Sequence, residues 1–181
     1  MKCVVRFSIL SFLLSAFVFQ ASLPAADLVL NDAPVRVCFS PRGGCTDAIV
    51  EQIEQAKSEL LIQAYSFTSR EIAAAIVRAH RRGVRVEIIL DKSNRREKYS
   101  SADFTARAGI PTWIDARHAI AHNKVMILDR ETVVTGSFNF TKAAEESNAE
   151  NVLIIRAPDL AERYRNNWEA HRSHSEKYDR R

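Results

Sequence analysis

Short apolar runs alternate with amphipathic stretches along most of this chain. The runs are rich in Val, Ile and Leu, as strands buried in a sheet are, and they occupy residues 35–39, 60–65, 84–90, 110–114 and 151–155. Helical patterns occupy residues 46–57, 70–82 and 159–171, and residues 124–128 and 132–135 form a hairpin pattern. This alternation predicts one α/β domain, a mostly parallel mixed sheet with helices on both faces.

The composition excludes several other classes of protein. Hydrophobic residues make up 46% of the 181 residues and charged residues 27%, which is enough for a packed core and argues against disorder. Three cysteines are too few for a disulfide-dense miniprotein. Beyond residue 30 there is no apolar run long enough for a membrane span, which excludes a polytopic membrane protein.

Residues 1–26 have the pattern of a secretory signal peptide. Lys2 and Arg6 precede an uncharged apolar block at residues 7–19, and small residues follow at 25–26. We therefore expect cleavage near residue 26, a mature domain at residues 27–181, and a periplasmic or secreted protein. The alternative is an uncleaved membrane anchor at residues 4–19, although this block is short for a bilayer span.

Positive charge is concentrated in one part of the chain. Without residues 1–26 the net charge is only +2, yet residues 78–98 contain eight basic and three acidic side chains. Such a patch suits a phosphate backbone, and a solvated helix face with its following loop explains it equally well.

Two cysteines remain after the expected cleavage, Cys38 and Cys45, and a turn-rich segment separates them. In an oxidising compartment we expect them to form a disulfide, the alternative being two buried thiols. The spacing of His, Cys, Asp and Glu suggests no metal site, so no metal or other cofactor is expected.

Residues 122–129 contain the first candidates for chemistry. His122 and Lys124 are two residues apart, so on an extended chain an imidazole and an ammonium point to the same side. A phosphodiester gives that pair a purpose, because the imidazole can attack phosphorus or move a proton while the ammonium stabilises the phosphate oxygens. Asp129 is seven residues from His122, which places it on the opposite face of a regular strand.

The following segment adds polar candidates. In residues 136–141 the side chains of Ser137 and Asn139 share one face and suit an anion, although a glycine turn followed by a Thr141 helix cap explains the pattern too. Glu150 precedes an apolar strand. It is either an ordinary strand-end carboxylate or the acceptor of an N–H from His122.

These motifs together resemble the phospholipase D superfamily, in particular its small bacterial endonucleases and the related mitochondrial cardiolipin hydrolase. The matching residues are His122, Lys124 and Asp129, then the segment 136–141, then Glu150, within a similarity that spans residues 34–170. The resemblance implies metal-free catalysis through a phosphohistidine on His122. It also implies phosphate binding by Lys124 and Asn139, orientation of His122 by Glu150, and a mainly structural Asp129.

That mechanism requires a second histidine, and only His122 has a lysine two residues later. The polar surroundings of His80 and His118 favour a surface location, and His171 and His174 lie in a charged C-terminal segment. A homodimer would bring two copies of His122 together. The substrate expected is DNA or RNA, with phospholipid or cardiolipin as the alternative and a non-catalytic phosphate-binding module as a third, weaker hypothesis.

Overall fold

The computed structural model describes residues 24–179, so the predictions for residues 1–23 lie outside the described part of the chain. These residues build one eight-stranded sheet and five α-helices. The strands are β1 Val35–Ser40, β2 Glu59–Ala64, β3 Arg85–Asp91, β4 Thr112–Asp115, β5 Lys124–Leu128, β6 Thr132–Gly136, β7 Glu150–Arg156 and β8 Glu176–Lys177. The helices are α1 Cys45–Gln55, α2 Arg70–Arg81, α3 Ala102–Arg107, α4 Lys142–Glu146 and α5 Pro158–His174. Between residues 24 and 179 none of the helices combines the length and apolarity that a bilayer span requires.

The sheet is mixed, as predicted, with the order β1-β7-β6-β5-β2-β3-β4-β8. The expectation that it is mostly parallel is wrong, because only β2–β3 and β3–β4 are parallel among its seven neighbouring pairs. A parallel pair needs a long crossover, which α2 and α3 supply, whereas β5 and β6 are joined by a tight turn. The second half of the chain therefore folds as an antiparallel meander.

Helices cover both faces of the sheet, which confirms the predicted layers. On one face α1 and α2 bury their apolar sides in the larger core cluster, and the Ser69 hydroxyl caps α2 by accepting the Ile72 N–H. On the other face α5 covers a smaller cluster that includes Trp113 and Trp168. The Trp168 indole N–H donates to the Ile62 carbonyl at 2.9 Å, so this tryptophan belongs to the core.

The strand directions bring several chain segments to one edge of the sheet. Because β5 runs antiparallel to β2, its first residue, Lys124, pairs with Ala64, the last residue of β2. By the same alternation β6 ends, and β7 begins, at this edge, where Glu150 pairs with Ser40. We call this edge, where the strand ends with the candidate residues Lys124 and Glu150 meet, the catalytic edge.

The basic run of residues 78–98 does not form one patch. Arg78 and Arg82 pair with Glu54, and Arg85, at the start of β3, pairs with Glu59 and Glu87. These three arginines lie at the end of α2 and the start of β3, at the sheet edge opposite the catalytic edge. The 3₁₀ turn Lys92–Arg95 and the loop after it follow the end of β3, so only this second half of the run lies at the catalytic edge.

Cys38 in β1 and Cys45 at the start of α1 are neighbours, close enough for the Cys38 side chain to affect the Cys45 thiol. Both are free thiols in this structure. Burial, with a further contribution from Cys38, raises the pKa of Cys45 to about 12. The turn between them does return the chain on itself as expected, and the disulfide remains a prediction.

Candidate active site

His122 lies in the loop that leads into β5, and its side chain is exposed to solvent. Its ring faces the ring of Tyr65, with 4.6 Å between the centroids and 56° between the planes. The Tyr65 N–H donates to the Asn123 carbonyl at 2.8 Å, which joins the end of β2 to this loop. The imidazole therefore packs against Tyr65 and is otherwise open to solvent, so a substrate can reach it.

Two buried polar side chains fix the same loop from the end of β3. The Asp91 carboxylate accepts the Ala121 N–H at 2.8 Å, and the Asn94 amide donates to the Tyr65 carbonyl at 2.7 Å. Both residues are 3% exposed. The sequence analysis missed them as positioning residues, although a carboxylate that ends an apolar strand run was a readable signal.

Lys124 lies beneath His122. The residue is 7% exposed, and its ammonium donates to the His122 carbonyl at 2.8 Å and stands 5.0 Å from the centre of the Tyr65 ring. Burial lowers the pKa of this lysine, and the negative charge of Glu150 partly opposes that shift. An ammonium has three N–H donors, so hydrogens remain for an anion placed above it.

Ser137 and Asn139 follow the end of β6. The Ser137 hydroxyl accepts the Asn151 N–H at 3.1 Å, so it helps to join β6 to β7. Gly136 is required there, because a Cβ atom would stand 2.2 Å from the Asn151 carbonyl oxygen. The Asn139 side-chain oxygen is buried without a hydrogen-bond partner among the described residues. That oxygen can only accept, so an anion would be bound by the N–H groups of the same amide.

Thr141 also caps a helix, as the alternative interpretation of this segment had it. Its hydroxyl oxygen accepts the Ala144 N–H at 3.1 Å, at the start of α4. The Phe140 carbonyl accepts the N–H groups of Thr68 and Ser69, at 2.9 Å each. Capping and site placement are therefore compatible functions of one segment.

Glu150 is half-buried at the start of β7 and accepts the Asn148 amide at 3.1 Å. Its charge acts on Lys124, as described above. Within residues 24–179 the structure records no hydrogen bond between Glu150 and His122, so the expected orientation of the imidazole by this carboxylate remains a proposal.

Asp129 is at the other edge of the sheet, a separation along β5 and not the opposite strand face that the sequence analysis predicted. Its carboxylate accepts the main-chain N–H groups of Lys57, Ser58 and Glu59 at 2.9, 2.7 and 3.0 Å, and the Ser58 hydroxyl at 2.8 Å. It is separated from His122 by the length of β5. Its place among the candidate catalytic residues is corrected to the structural role that the resemblance implied.

The expectation of no cluster with metal-ligand spacing is wrong. Ligand atoms of Asp115, His118, His171 and His174 lie within 4.8 Å of one another. His118 is an exposed loop residue, as predicted, whereas His171 and His174 are largely buried and not part of a solvated tail. The sequence analysis missed this group because its two halves are far apart along the chain. The readable signal was the shared spacing of three residues in 115–118 and 171–174.

Comparison with known proteins agrees with this geometry. A family model described as "Cardiolipin synthase, PLD-like domain" matches residues 49–172. A phospholipase D of Rickettsia felis is 48% identical over 134 residues, 74% of this chain and 67% of that protein. The mitochondrial cardiolipin hydrolase of Danio rerio is 30% identical over 140 residues, 74% of this chain and 62% of that protein.

A solved structure extends the comparison to three dimensions. The crystal structure of Nuc from Salmonella typhimurium, a phospholipase D family member, superposes with a TM-score of 0.79 and 39% identity, over 83% of this chain and 100% of that one. The sequence similarity covers the segments that form the catalytic edge. The chain therefore belongs to the phospholipase D-like family and is a phosphodiesterase of that family.

Proposed function

We propose that this protein is an endonuclease that hydrolyses DNA or RNA through a phosphohistidine on His122, without a metal in the reaction. The observation that carries the proposal is the pairing of an exposed imidazole with a buried ammonium at one strand end. Lys124 supplies there the positive charge that a metal ion provides in other phosphodiesterases.

In the first step a His122 ring nitrogen attacks phosphorus, a P–N bond forms, and the P–O bond to the leaving nucleotide breaks. A second imidazole donates the proton that the leaving oxygen requires. In the second step that imidazole takes a proton from water, whose oxygen attacks phosphorus and breaks the P–N bond. Lys124 and Asn139 hold the non-bridging oxygens through both steps.

We propose that the second imidazole is His122 of another copy of the chain. An apolar patch on the sheet supports a homodimer. Val35, Val37 and Phe39 of β1 are 55%, 50% and 65% exposed, and the partly exposed Ile155 and Leu153 of β7 pair with the first two. This face continues from the cluster under α5 and ends at the catalytic edge. Burying such a surface in an isologous interface is favourable.

The half of the basic run that reaches the catalytic edge supports nucleic acid as the substrate. Lys92, Arg96 and Lys98 follow β3 there, and the Tyr99 side chain beside them is 69% exposed. The Lys98 ammonium stands 5.5 Å from the centre of the Tyr99 ring. Cations beside an exposed aromatic ring suit a phosphate backbone and an unstacked base.

Phospholipid is the second candidate substrate, and one observation favours it. Ile120 is 58% exposed only two residues before His122, so an apolar side chain stands where an acyl chain would lie. The relatives named phospholipase D and mitochondrial cardiolipin hydrolase point in the same direction.

One assay tests the chemistry and separates the substrates. Plasmid DNA, RNA and cardiolipin vesicles are incubated separately with the pure protein in EDTA. We expect cleavage of nucleic acid in EDTA and none of it with His122→Ala. Hydrolysis of cardiolipin alone would make the lipid alternative correct. Activity that EDTA abolishes and magnesium restores would contradict the proposed mechanism.

A further inference from the structure

Four side chains that are not part of the proposed phosphate-binding site lie close together. Asp115 ends β4, His118 lies in the following loop, and His171 and His174 lie in the last turns of α5. One carboxylate oxygen of Asp115, Oδ2, is 2.8 Å from His118 Nδ1, 2.8 Å from His171 Nδ1 and 3.4 Å from His174 Nε2. The ring centroids are 4.8 to 5.4 Å apart.

Hydrogen bonding alone accounts poorly for this convergence. The other Asp115 oxygen, Oδ1, accepts the Arg117 and His118 N–H groups at 3.1 and 3.3 Å, which fixes the orientation of the carboxylate. Oδ2 then faces three imidazoles with only about two lone-pair sites. Asp115 is fully buried.

We propose that Asp115, His118, His171 and His174 form a binding site for a transition-metal ion, with Zn²⁺ as the best fit. Three imidazole nitrogens and one carboxylate oxygen are a ligand set that zinc accepts in tetrahedral geometry. Zinc–ligand bonds of about 2.0–2.2 Å place ligand atoms roughly 3.3 Å apart. The contacts of 2.8 to 3.4 Å to Oδ2 are close to that spacing, and all four ligand atoms lie within 4.8 Å of one another, so side-chain rotations that bring the imidazole nitrogens closer together would complete the site.

The surroundings suit a bound cation. His118 is 44% exposed and gives the ion a path from solvent, whereas the side chains of His171 and His174 are only 17% and 14% exposed. The Lys92 ammonium is bound to the main-chain carbonyl of His118, to which it donates at 3.0 Å.

The ion would affect the active site indirectly, by stabilising the loop that precedes His122. His118 lies four residues before His122, and the loop between them is held at its far end by the bond from Ala121 to Asp91. A metal bound to both His118 and α5 would tie this loop to the C-terminal helix. It takes no part in the hydrolysis proposed above, so the two proposals stand independently.

Zinc titration of the tag-free, EDTA-dialysed protein tests the site. We expect about one Zn²⁺ per chain by elemental mass spectrometry, a higher melting temperature with Zn²⁺, and the visible absorption of tetrahedral Co²⁺ when cobalt replaces it. The double variant His171→Ala/His174→Ala should lose all three signals. Because His122 and His80 are also imidazoles, His122→Ala and His80→Gln are the matched controls and should keep the full stoichiometry.

His118→Gln covers the case in which the double variant fails to fold, since its side chain is largely exposed. We expect at least about tenfold weaker Zn²⁺ binding, with an unchanged circular dichroism spectrum. Equal zinc binding by wild type and His118→Gln, or none by wild type, would overturn the site. Loss of hydrolysis in EDTA that Mg²⁺ restores and Zn²⁺ does not would count only against the proposed reaction.

Discussion

The Lys124 ammonium donates a 2.8 Å hydrogen bond to the main-chain carbonyl of His122. The two motif residues are therefore linked by more than their shared strand face, because the lysine side chain folds back under the residue that carries the imidazole. This contact uses one of the three N–H donors of the ammonium, and the other two remain for a bound anion. A phosphate that reaches His122 thus meets a positive charge already held in place.

Replacing that charge should slow the reaction without unfolding the protein. Lys124→Met keeps the length and apolar stem of a buried side chain, so we expect an unchanged melting temperature. We expect kcat to fall about 10²- to 10³-fold, the usual cost of removing one electrostatic donor to a transition state. Steady-state hydrolysis of a model phosphodiester measures this. Lys142→Met, at an exposed lysine of α4, is the control and should keep wild-type kcat.

Glu150→Gln should change the pH dependence through Lys124. Burial lowers the pKa of the lysine and the Glu150 charge raises it, so removal of that charge should lower it further. Because the protonated lysine is the active form, the alkaline limb of kcat/KM should move to lower pH. A profile measured beside Glu146→Gln checks the direction. An alkaline limb that stays in place or moves to higher pH would show that Glu150 does not act on Lys124.

His122→Ala should abolish turnover and leave folding intact, since the ring is exposed and contributes no core contact. Removing a covalent nucleophile from a coordinated set typically costs about a million-fold in kcat. Residual activity within about tenfold of wild type would place the nucleophile elsewhere.

A mixed dimer tests whether two copies of His122 share one site. Co-expressed chains with different tags allow the heterodimer of wild type and His122→Ala to be purified. We expect it to be inactive, because each step needs both imidazoles. About half of wild-type activity would mean independent sites, and a fully active monomer by light scattering would exclude a shared one.

Local pattern was sufficient to predict most elements and the relation of the motif residues. Two-residue alternation placed His122 and Lys124 together, and the structure agrees, whereas Asp129 is distant because it lies at the far end of β5. The parallel character of the sheet was overestimated because apolar runs do not record direction. Whether β5 runs with or against β2 depends on the connection between them, and that loop has no helical pattern to reveal its path.

The residues that support the loop before His122 left only a weak signal in the sequence. Asp91 and Asn94 act through main-chain groups some thirty residues away, so their roles exist only once β2, β3 and the loop are assembled. The four proposed metal ligands combine residues near 115 with residues near 174 for the same reason. Tertiary convergence of this kind leaves only weak traces, such as paired spacings, in a single sequence.

Asp129→Asn should lower stability and leave kcat unchanged. The Asp129 carboxylate gathers three main-chain N–H groups of the turn before β2, and the amide keeps only one acceptor oxygen without charge. Hydrogen bonds to charged groups contribute about 1.5–3 kcal/mol, so we expect the free energy of unfolding to fall by roughly 1–3 kcal/mol. Urea unfolding measures this, with Asp179→Asn, at an exposed carboxylate near the C-terminus, as the control.

The same substitution has an expected pH signature. Burial would raise the pKa of Asp129, but the hydrogen bonds from Glu59, Ser58 and Lys57 outweigh it and hold the pKa below the ordinary value. A carboxyl with a depressed folded pKa stabilises the fold above its unfolded pKa of about 3.9, and that contribution is lost as the pH falls through the folded value. The stability difference between wild type and Asp129→Asn should therefore be constant near neutrality and shrink in acid. A difference that grows in acid would contradict the assignment.

Cys38 and Cys45 should be joined by a disulfide in protein recovered from an exported fraction, and should remain thiols in protein kept reduced. Their side chains are already neighbours, so pairing needs little movement of β1 or α1. Burial raises the pKa of Cys45 to about 12, so this thiol is almost never a thiolate at neutral pH and uncatalysed oxidation should be slow and faster in alkali. Intact mass under non-reducing conditions should be about 2 Da lower than after reduction, because two hydrogens are lost. Cys45→Ser should show no such difference, and two free thiols in the exported protein would contradict both the pairing and the oxidising compartment from which it was inferred.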